Sequence, residues 1–119
     1  MSDVNYNKIK HLVDVDDDIF AVFTVSLENS QMENLSIAQS AKITEDFVEK
    51  IFVSFKENFG GMVEENTNLV GHLKWSVHET DRIRLLIIYE KHQTVIVLVK
   101  SNISLSESVD NILGYYYET

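Results

Sequence analysis

The segment TVIVLVK, residues 94–100, carries apolar side chains at every position from Val95 to Val99. Successive side chains of a strand point to opposite faces of the sheet, so this strand is apolar on both faces. A second segment, IFAVFTVSL at residues 19–27, is similarly apolar and rich in β-branched and aromatic residues. Strands of this kind need cover on both faces. We therefore predict that the two are adjacent central strands of a sheet with helices on both sides.

The segments around these two predict the rest of the sheet. IRLLIIYE at 83–90 is separated from 94–100 by Lys91-His92-Gln93, which predicts a hairpin. HLKWSVH at 72–78 alternates apolar and polar residues and predicts an edge strand. The polar segment 28–34 predicts a turn after the first strand, followed by a short strand with Leu35, Ile37 and Ala38. The expected order is 2-1-5-4-3, mostly antiparallel.

Helical spacing predicts the elements on either side of this sheet. Residues 3–13 are expected to form a short amphipathic helix with Asp3 as a candidate cap. A helix is expected over 44–59, with Thr44 as its cap and Gly60-Gly61 as its stop, followed at 62–70 by either a further helical turn or a loop. Ser104 and Glu107 match a capping box for the last helix, whose inner face includes Tyr116. The chain is thus expected to form one α+β domain over residues 1–119.

Composition restricts the classes of partner and site. The chain has 119 residues, with 19 Asp and Glu against 10 Lys and Arg, and a net charge of −9. This charge argues against nucleic acid and anionic membranes as partners, because phosphate groups are bound by clustered basic residues. The lack of Cys excludes disulfides, thiolate metal sites and a Cys nucleophile. No signal peptide or membrane-spanning apolar stretch is recognised, so we expect a cytoplasmic protein.

No motif predicts catalysis, a cofactor or a metal. Asp14-x-Asp16-x-Asp18 opens like a calcium loop, but the required Gly and Glu positions hold Ile19 and Val25, so a solvated turn is expected. The histidines His72 and His78, with His11 and His92 elsewhere, lack the spacing of zinc ligands. The sequence contains neither the G-x-S-x-G motif of a nucleophile elbow nor a glycine-rich phosphate-binding motif. We predict no catalytic residue, no cofactor and no metal site.

The aromatic residues near the edge strand and the C-terminus leave alternatives open. Trp75 on an edge strand fits either packing beneath a helix or burial in a subunit interface. The run Tyr115-Tyr116-Tyr117 is expected to turn Tyr116 inward, with its neighbours either exposed or packed on a partner. A frayed amphipathic end of the chain without a functional role is the alternative.

The order of these elements resembles that of the roadblock/dynein-light-chain domains of the profilin-like group. The resemblance covers nearly the whole chain and is carried by element order and length rather than by a motif. Such domains are small cytoplasmic, non-enzymatic dimers that pair their third strands and lay their central helices side by side, often to bind or regulate small GTPases. The chain departs from the pattern at residues 28–34, where the family tends to carry a glycine and this sequence has none.

The resemblance implies a homodimer formed by the edge strand and the helix beside it. The implied interface residues are His72, Leu73, Lys74, Trp75, Ser76, Val77, His78, Val53 and Lys56. A small GTPase or another protein is implied as a further partner.

Two other classes of function stay open from the sequence. A PAS-like sensor has a similar sheet and would place its ligand pocket between Phe47, Phe52 or Phe55 and the strands. A small enzyme without a recognisable motif is the third class.

Overall fold

The computed structural model describes residues 6–56, 71–101 and 104–118. Its elements follow the predicted order. They are α1 (Tyr6–Lys10), which continues as a 3-10 helix (His11–Asp14), β1 (Ile19–Ser26), β2 (Met32–Ile37), α2 (Glu45–Phe55), β3 (Trp75–Glu79), β4 (Ile83–Tyr89), β5 (Gln93–Lys100) and α3 (Leu105–Tyr117). The expected cap at Asp3, the glycine stop at Gly60-Gly61 and residues 62–70 lie outside the described residues.

The five strands form one sheet in the order β2-β1-β5-β4-β3, and each neighbouring pair is antiparallel. This confirms the predicted order, and β1 and β5 are adjacent. Every residue of β5 from Gln93 to Val99 is buried, as is most of β1. The two strands that are apolar on both faces therefore occupy the positions where both faces are covered.

Helices cover both faces of the sheet, as predicted. On one side, the α2 face, Val48 of α2 packs with Phe23, Ile87 and Leu98. On the other, the α3 face, Leu12 of the 3-10 helix and Ile112 of α3 pack against the opposite sides of the same strands. The core therefore consists of two apolar layers separated by one sheet.

The local sequence explains where the two longer helices begin. Thr44 has extended backbone angles, and its side chain accepts a hydrogen bond from the Phe47 amide at 3.1 Å. Ser104 accepts a similar bond from Glu107 at 3.4 Å. Both caps satisfy backbone donors that have no partner within the helix.

A β-bulge in β1 changes the alternation expected for 19–27. The register to β5 shifts between Ile19 and Ala21. Ile19 packs on the α3 face, whereas Phe20 and Ala21 both pack on the α2 face. The additional residue lets the first strand supply large side chains to both layers.

Two predicted turns are shorter than expected. Met32 to Asn34 belong to β2 rather than to a turn, because the Ser26 amide bonds the Gln31 carbonyl at 3.1 Å and closes the hairpin early. Gln93 belongs to β5 rather than to the turn before it, since its carbonyl accepts from the Glu90 amide at 2.9 Å. Its amide group also donates to the Glu90 carboxylate at 3.0 Å, which satisfies it at a buried position.

The first helix and the edge strand also differ from prediction. The last residues of the expected helix 3–13 form the 3-10 turn that closes onto β1. The strand expected at 72–78 occupies Trp75–Glu79. Its register pairs Trp75 with Ile88, so residues before Lys74 would meet the β4–β5 turn instead of a strand. The length of β4 therefore determines where β3 begins.

Candidate functional site

The outer side of β3 is the candidate site, because among the described residues this strand lies at the end of the sheet and pairs only with β4. The Tyr89 amide donates to the Lys74 carbonyl at 2.9 Å, and the Thr80 amide donates to the Ile83 carbonyl at 3.0 Å. Backbone groups in an antiparallel pair alternate between facing the partner strand and facing away. Trp75, Val77 and Glu79 therefore present their backbone N–H and C=O groups outward, away from β4.

The side chains of β3 divide between the two faces of the sheet. Val77 packs on the α3-face core, and alternation along the strand places Trp75 and Glu79 on the same side. Ser76 and His78 lie on the α2 face, where the His78 ring is 6.5 Å from that of Phe55. Trp75 remains 39% exposed, so its indole is only partly covered by the fold.

Two residues predicted for the interface, Val53 of α2 and Lys56 just after it, are exposed. Val53 is 70% exposed, the largest fraction among the exposed large apolar residues of the described chain. Lys56 follows the helix, and its ammonium group lies 5.8 Å from the centre of the Phe52 ring. The contact between Phe55 and His78 places the C-terminal half of α2 next to β3.

The first three residues predicted for the interface lie just before the strand. His72, Leu73 and Lys74 are exposed, and Leu73 is 37% exposed. Lys74 still joins the sheet through its carbonyl. The structure thus brings Trp75, Ser76, Val77 and His78 into one regular edge and leaves the preceding residues as its extension.

A buried arginine beside this edge was not predicted from the sequence. The Arg84 side chain is 5% exposed, and its Nε and Nη2 donate to the two carboxylate oxygens of Glu79 at 2.5 and 3.2 Å. Nη1 donates to Ser108 Oγ at 2.8 Å and to the Ser104 carbonyl at 3.4 Å, and Nη2 reaches the Ser101 carbonyl at 3.5 Å. These acceptors compensate for burying the guanidinium group.

The Arg84 network connects the open edge to α3. Glu79 is the last residue of β3, while Ser104 and Ser108 belong to the cap and the first turns of α3. The available sequence signal was a charged residue inside IRLLIIYE, opposite Glu79 across a short turn. Cross-strand pairs of opposite charge are a recurrent stabilising arrangement in antiparallel sheets.

The last turn of α3 packs against both the sheet and α1. Tyr115 and Tyr116 are both partly buried on the α3 face, so the expectation that only Tyr116 turns inward was wrong. The reason is α1, because the Lys8 ammonium lies 5.7 Å from the Tyr115 ring centre and donates to the Glu118 carbonyl. Partial burial raises the pKa of Tyr117, and the Glu90 carboxylate raises that pKa further by repelling a second negative charge.

The side chains of α2 occupy the region where a PAS-like sensor would have its ligand pocket. The Phe52 ring packs edge-on against Phe23 with 6.2 Å between ring centres, and Val48 is fully buried against the same layer. Phe47 is 39% exposed. The aromatic side chains that were expected to line a pocket therefore pack on the sheet or lie at the surface.

Acidic side chains and histidines in the described part of the chain are dispersed or engaged in hydrogen bonds. The His, Asp and Glu side chains of this part form no cluster of three or more that is suited to a metal ion. The Asp16 carboxylate instead accepts from Asn111 of α3 at 3.0 Å and from the Asp18 amide at 2.9 Å. None of the helices among residues 6–56, 71–101 and 104–118 has the length and apolar content needed to cross a membrane.

Comparison with known proteins gives similarity in structure only. No protein-family model and no curated protein matches the sequence. A roadblock/LC7 domain from Streptomyces avermitilis has a TM-score of 0.64 at 11% identity, covering 96% of this chain and 92% of that one. MglC from Myxococcus xanthus has a TM-score of 0.63 at 4% identity, with 92% and 90% covered. MglB in a tetrameric arrangement has a TM-score of 0.66 at 9% identity, with 98% and 85% covered.

The agreement extends over nearly the full length of each chain at identities too low to carry more than the fold. It confirms the resemblance that the order of elements predicted. The chain has a roadblock-like fold.

Proposed function

We propose that this chain is a non-enzymatic protein-interaction module that forms a homodimer through β3 and the adjacent part of α2. The interface comprises His72, Leu73, Lys74, Trp75, Ser76, Val77, His78, Val53 and Lys56. It requires no cofactor or metal, and the cytoplasm is the proposed location. A small GTPase or another protein is the further partner class, as the family resemblance implies.

The observation that carries the proposal is the regular edge of β3, which no strand among the described residues covers. Trp75 on this strand is 39% exposed, and Val53 is 70% exposed in the half of α2 whose Phe55 ring lies 6.5 Å from the His78 ring of β3. Open edges of this kind pair readily with another strand, and native proteins usually cover, bulge or charge them. The similar MglB is found in a tetrameric arrangement, which is consistent with self-association of this fold.

The mass in solution tests the proposal. One chain has a mass of 13.7 kDa, so light scattering should give twice that value at concentrations on the order of 100 micromolar. Val53→Asp should raise the dissociation constant about 10-fold or more, equivalent to about 1.4 kcal/mol, because it places a charge at the seam. A mass of one chain throughout this range would contradict the homodimer.

A matched control separates the interface from general surface effects. Leu27 is 45% exposed in the β1–β2 turn, at the far side of the sheet order from β3. Leu27→Asp should leave the dissociation constant unchanged. Equal effects of the two variants would show that Val53 acts through general solubility rather than through the interface.

The partner class needs its own experiment. Purified small GTPases loaded with GDP or with a non-hydrolysable GTP analogue are titrated against the chain, with Val53→Asp and Leu27→Asp measured in parallel. Binding that depends on the nucleotide supports a GTPase partner. Failure of every GTPase to bind, with the dimer intact, contradicts that part of the proposal and leaves the homodimer standing.

A further inference from the structure

The backbone of β3 restricts how a second copy can align with it. Outward N–H and C=O groups belong to Trp75, Val77 and Glu79, as the bonds at Lys74 and Thr80 require. Two antiparallel strands exchange hydrogen bonds only between residues whose backbone groups face each other. Each of these residues must therefore meet another member of the same set, and registers shifted by one residue are excluded.

Two-fold symmetry limits the remaining registers in which the two β3 strands can pair. In a symmetric dimer, if one residue contacts a second, the second contacts the first in return. An axis at Val77 pairs Val77 with itself and Trp75 with Glu79, so all the outward residues of β3 find partners. An axis at Ser76 leaves Glu79 without a strand partner, and an axis at His78 leaves Trp75 without one, because β3 ends at these residues.

The side chains fit the register centred on Val77. Trp75 of one copy would stand opposite Glu79 of the other on the α3 face, with Cβ atoms about 4.5–5.5 Å apart. That Glu79 holds the guanidinium group of Arg84, so the partly exposed indole lies over an ion pair. On the α2 face the small Ser76 stands opposite the larger His78, and Lys74 stands opposite the neutral Thr80. No like charges meet across the strands.

We infer that two copies pair through β3 in the register centred on Val77, and that Trp75 of each copy packs over the Glu79–Arg84 ion pair of the other. The inference rests on the proposed homodimer and specifies its geometry. It assigns Trp75 as the main apolar anchor, in keeping with the enrichment of Trp and Arg at the centres of interfaces. It also links the edge to α3, because Arg84 contacts both Glu79 and Ser108.

Single cysteines can report the register because the natural chain has none. A residue on the axis meets its own copy at a Cα separation of about 5.5 Å, within the range for a disulfide. Residues one step from the axis are separated by about 8 Å, from the strand rise and strand spacing, which is beyond that range. Under mild oxidation, Val77→Cys should therefore form covalent dimer faster than Ser76→Cys or His78→Cys.

The background rate of disulfide formation by random collision is measured with Asn29→Cys, at an exposed position of the β1–β2 turn. Val77→Cys should exceed this background at least 10-fold. Faster cross-linking of Ser76→Cys or His78→Cys than of Val77→Cys would overturn the register. The wild-type mass measured beside them shows whether the dimer exists at all.

Fluorescence supplies a second readout without any substitution, since Trp75 is the only tryptophan. Its emission should shift to shorter wavelength over the same concentration range in which the mass doubles. A dimer by mass with unshifted Trp75 emission would overturn the packing of Trp75 while leaving the proposed function intact. A monomer at all concentrations would contradict the proposed function itself.

Discussion

The two edges of the sheet differ in how they are protected. At the β2 edge the register to β1 shifts between Val22 and Thr24, so that Asn34 and Leu35 both lie opposite Phe23. Asn34 has a φ of 55°, and its amide group donates to Thr24 Oγ1 at 3.0 Å. At the other edge, β3 keeps one continuous register to β4 from Trp75 to Glu79.

Within the described residues, the row of backbone groups is therefore interrupted at the β2 edge and regular at the β3 edge. A bulge with a left-handed residue twists the strand and interrupts the row of backbone groups that another chain would need. A strand without such a shift presents its groups at regular spacing. The asymmetry favours pairing at β3 over pairing at β2, and four experiments test this difference between the edges.

The largest effect on the free energy of unfolding is expected from removing the side-chain interactions that stabilise each edge strand. Glu79→Ala leaves the buried Arg84 without its carboxylate, and we expect a loss of about 2–3 kcal/mol in the free energy of unfolding. This is less than for a fully buried pair, because Glu79 is half-exposed and the acceptors of Ser101, Ser104 and Ser108 remain. Chemical denaturation of the monomer at low concentration measures the change.

The matched change at the β2 edge is Thr24→Val. It removes the neutral hydrogen bonds of Thr24 Oγ1 to Asn34 and to the Glu33 carbonyl, which should cost about 1 kcal/mol. A cost equal to or greater than that of Glu79→Ala would show that the charged network is not what makes the β3 edge more sensitive.

The second experiment places proline on each edge. Val77→Pro removes an outward donor while sparing the bonds to β4, so it should weaken dimerisation about 10-fold or more. Met32 is the first residue of β2, and the Ser26–Gln31 bond implies that its N–H also points outward. Met32→Pro should leave the mass unchanged. The comparison between edges fails if Met32→Pro dissociates the assembly and Val77→Pro does not.

Amide exchange should show the same asymmetry without substitutions. The amides of β1 and β5 should exchange slowest, because both strands are central and buried. The outward amides of Trp75, Val77 and Glu79 should exchange fast in dilute protein and more slowly as the dimer forms. Exchange at β2 should not depend on concentration. Concentration-independent exchange at all three β3 amides would count against edge pairing.

The smallest effect lies in the turn that leads to the bulged edge. Ser30 has a φ of 57°, in the left-handed region that glycine adopts without steric cost. Ser30→Gly should raise the free energy of unfolding by about 0.5–1 kcal/mol. Ser40→Gly, outside the positive-φ positions, serves as the control and should not stabilise. A decrease in stability for Ser30→Gly would mean that the hydroxyl group contributes more than the relief of strain.

The turn also shows what the absence of glycine at 28–34 means. The sequence departs from the family pattern there, yet the backbone reaches positive φ at Ser30 and Asn34 with non-glycine residues. Asn tolerates this region better than most residues because its short side chain can bond locally, as Asn34 does to Thr24. The geometry of the hairpin could therefore not be predicted from the positions of glycine residues.

The sheet order and the two helical layers could be predicted from the amino-acid sequence alone. Runs such as Val95 to Val99 must be buried on both faces, and only central strands between helices provide this. The same reasoning placed the edge strand near residues 72–78 and the helix beside it at Thr44, whose cap is a local interaction. These features depend on the side chains of one segment at a time.

Where the edge strands begin, and whether a bulge interrupts them, depends on the tertiary structure. The start of β3 depends on where β4 turns into β5, and the bulge in β2 depends on the opposing strand at Phe23. The partners of Arg84 come from positions separated by up to 24 residues along the chain. Such contacts join residues that only the completed fold brings together, so no local sequence pattern could have specified them.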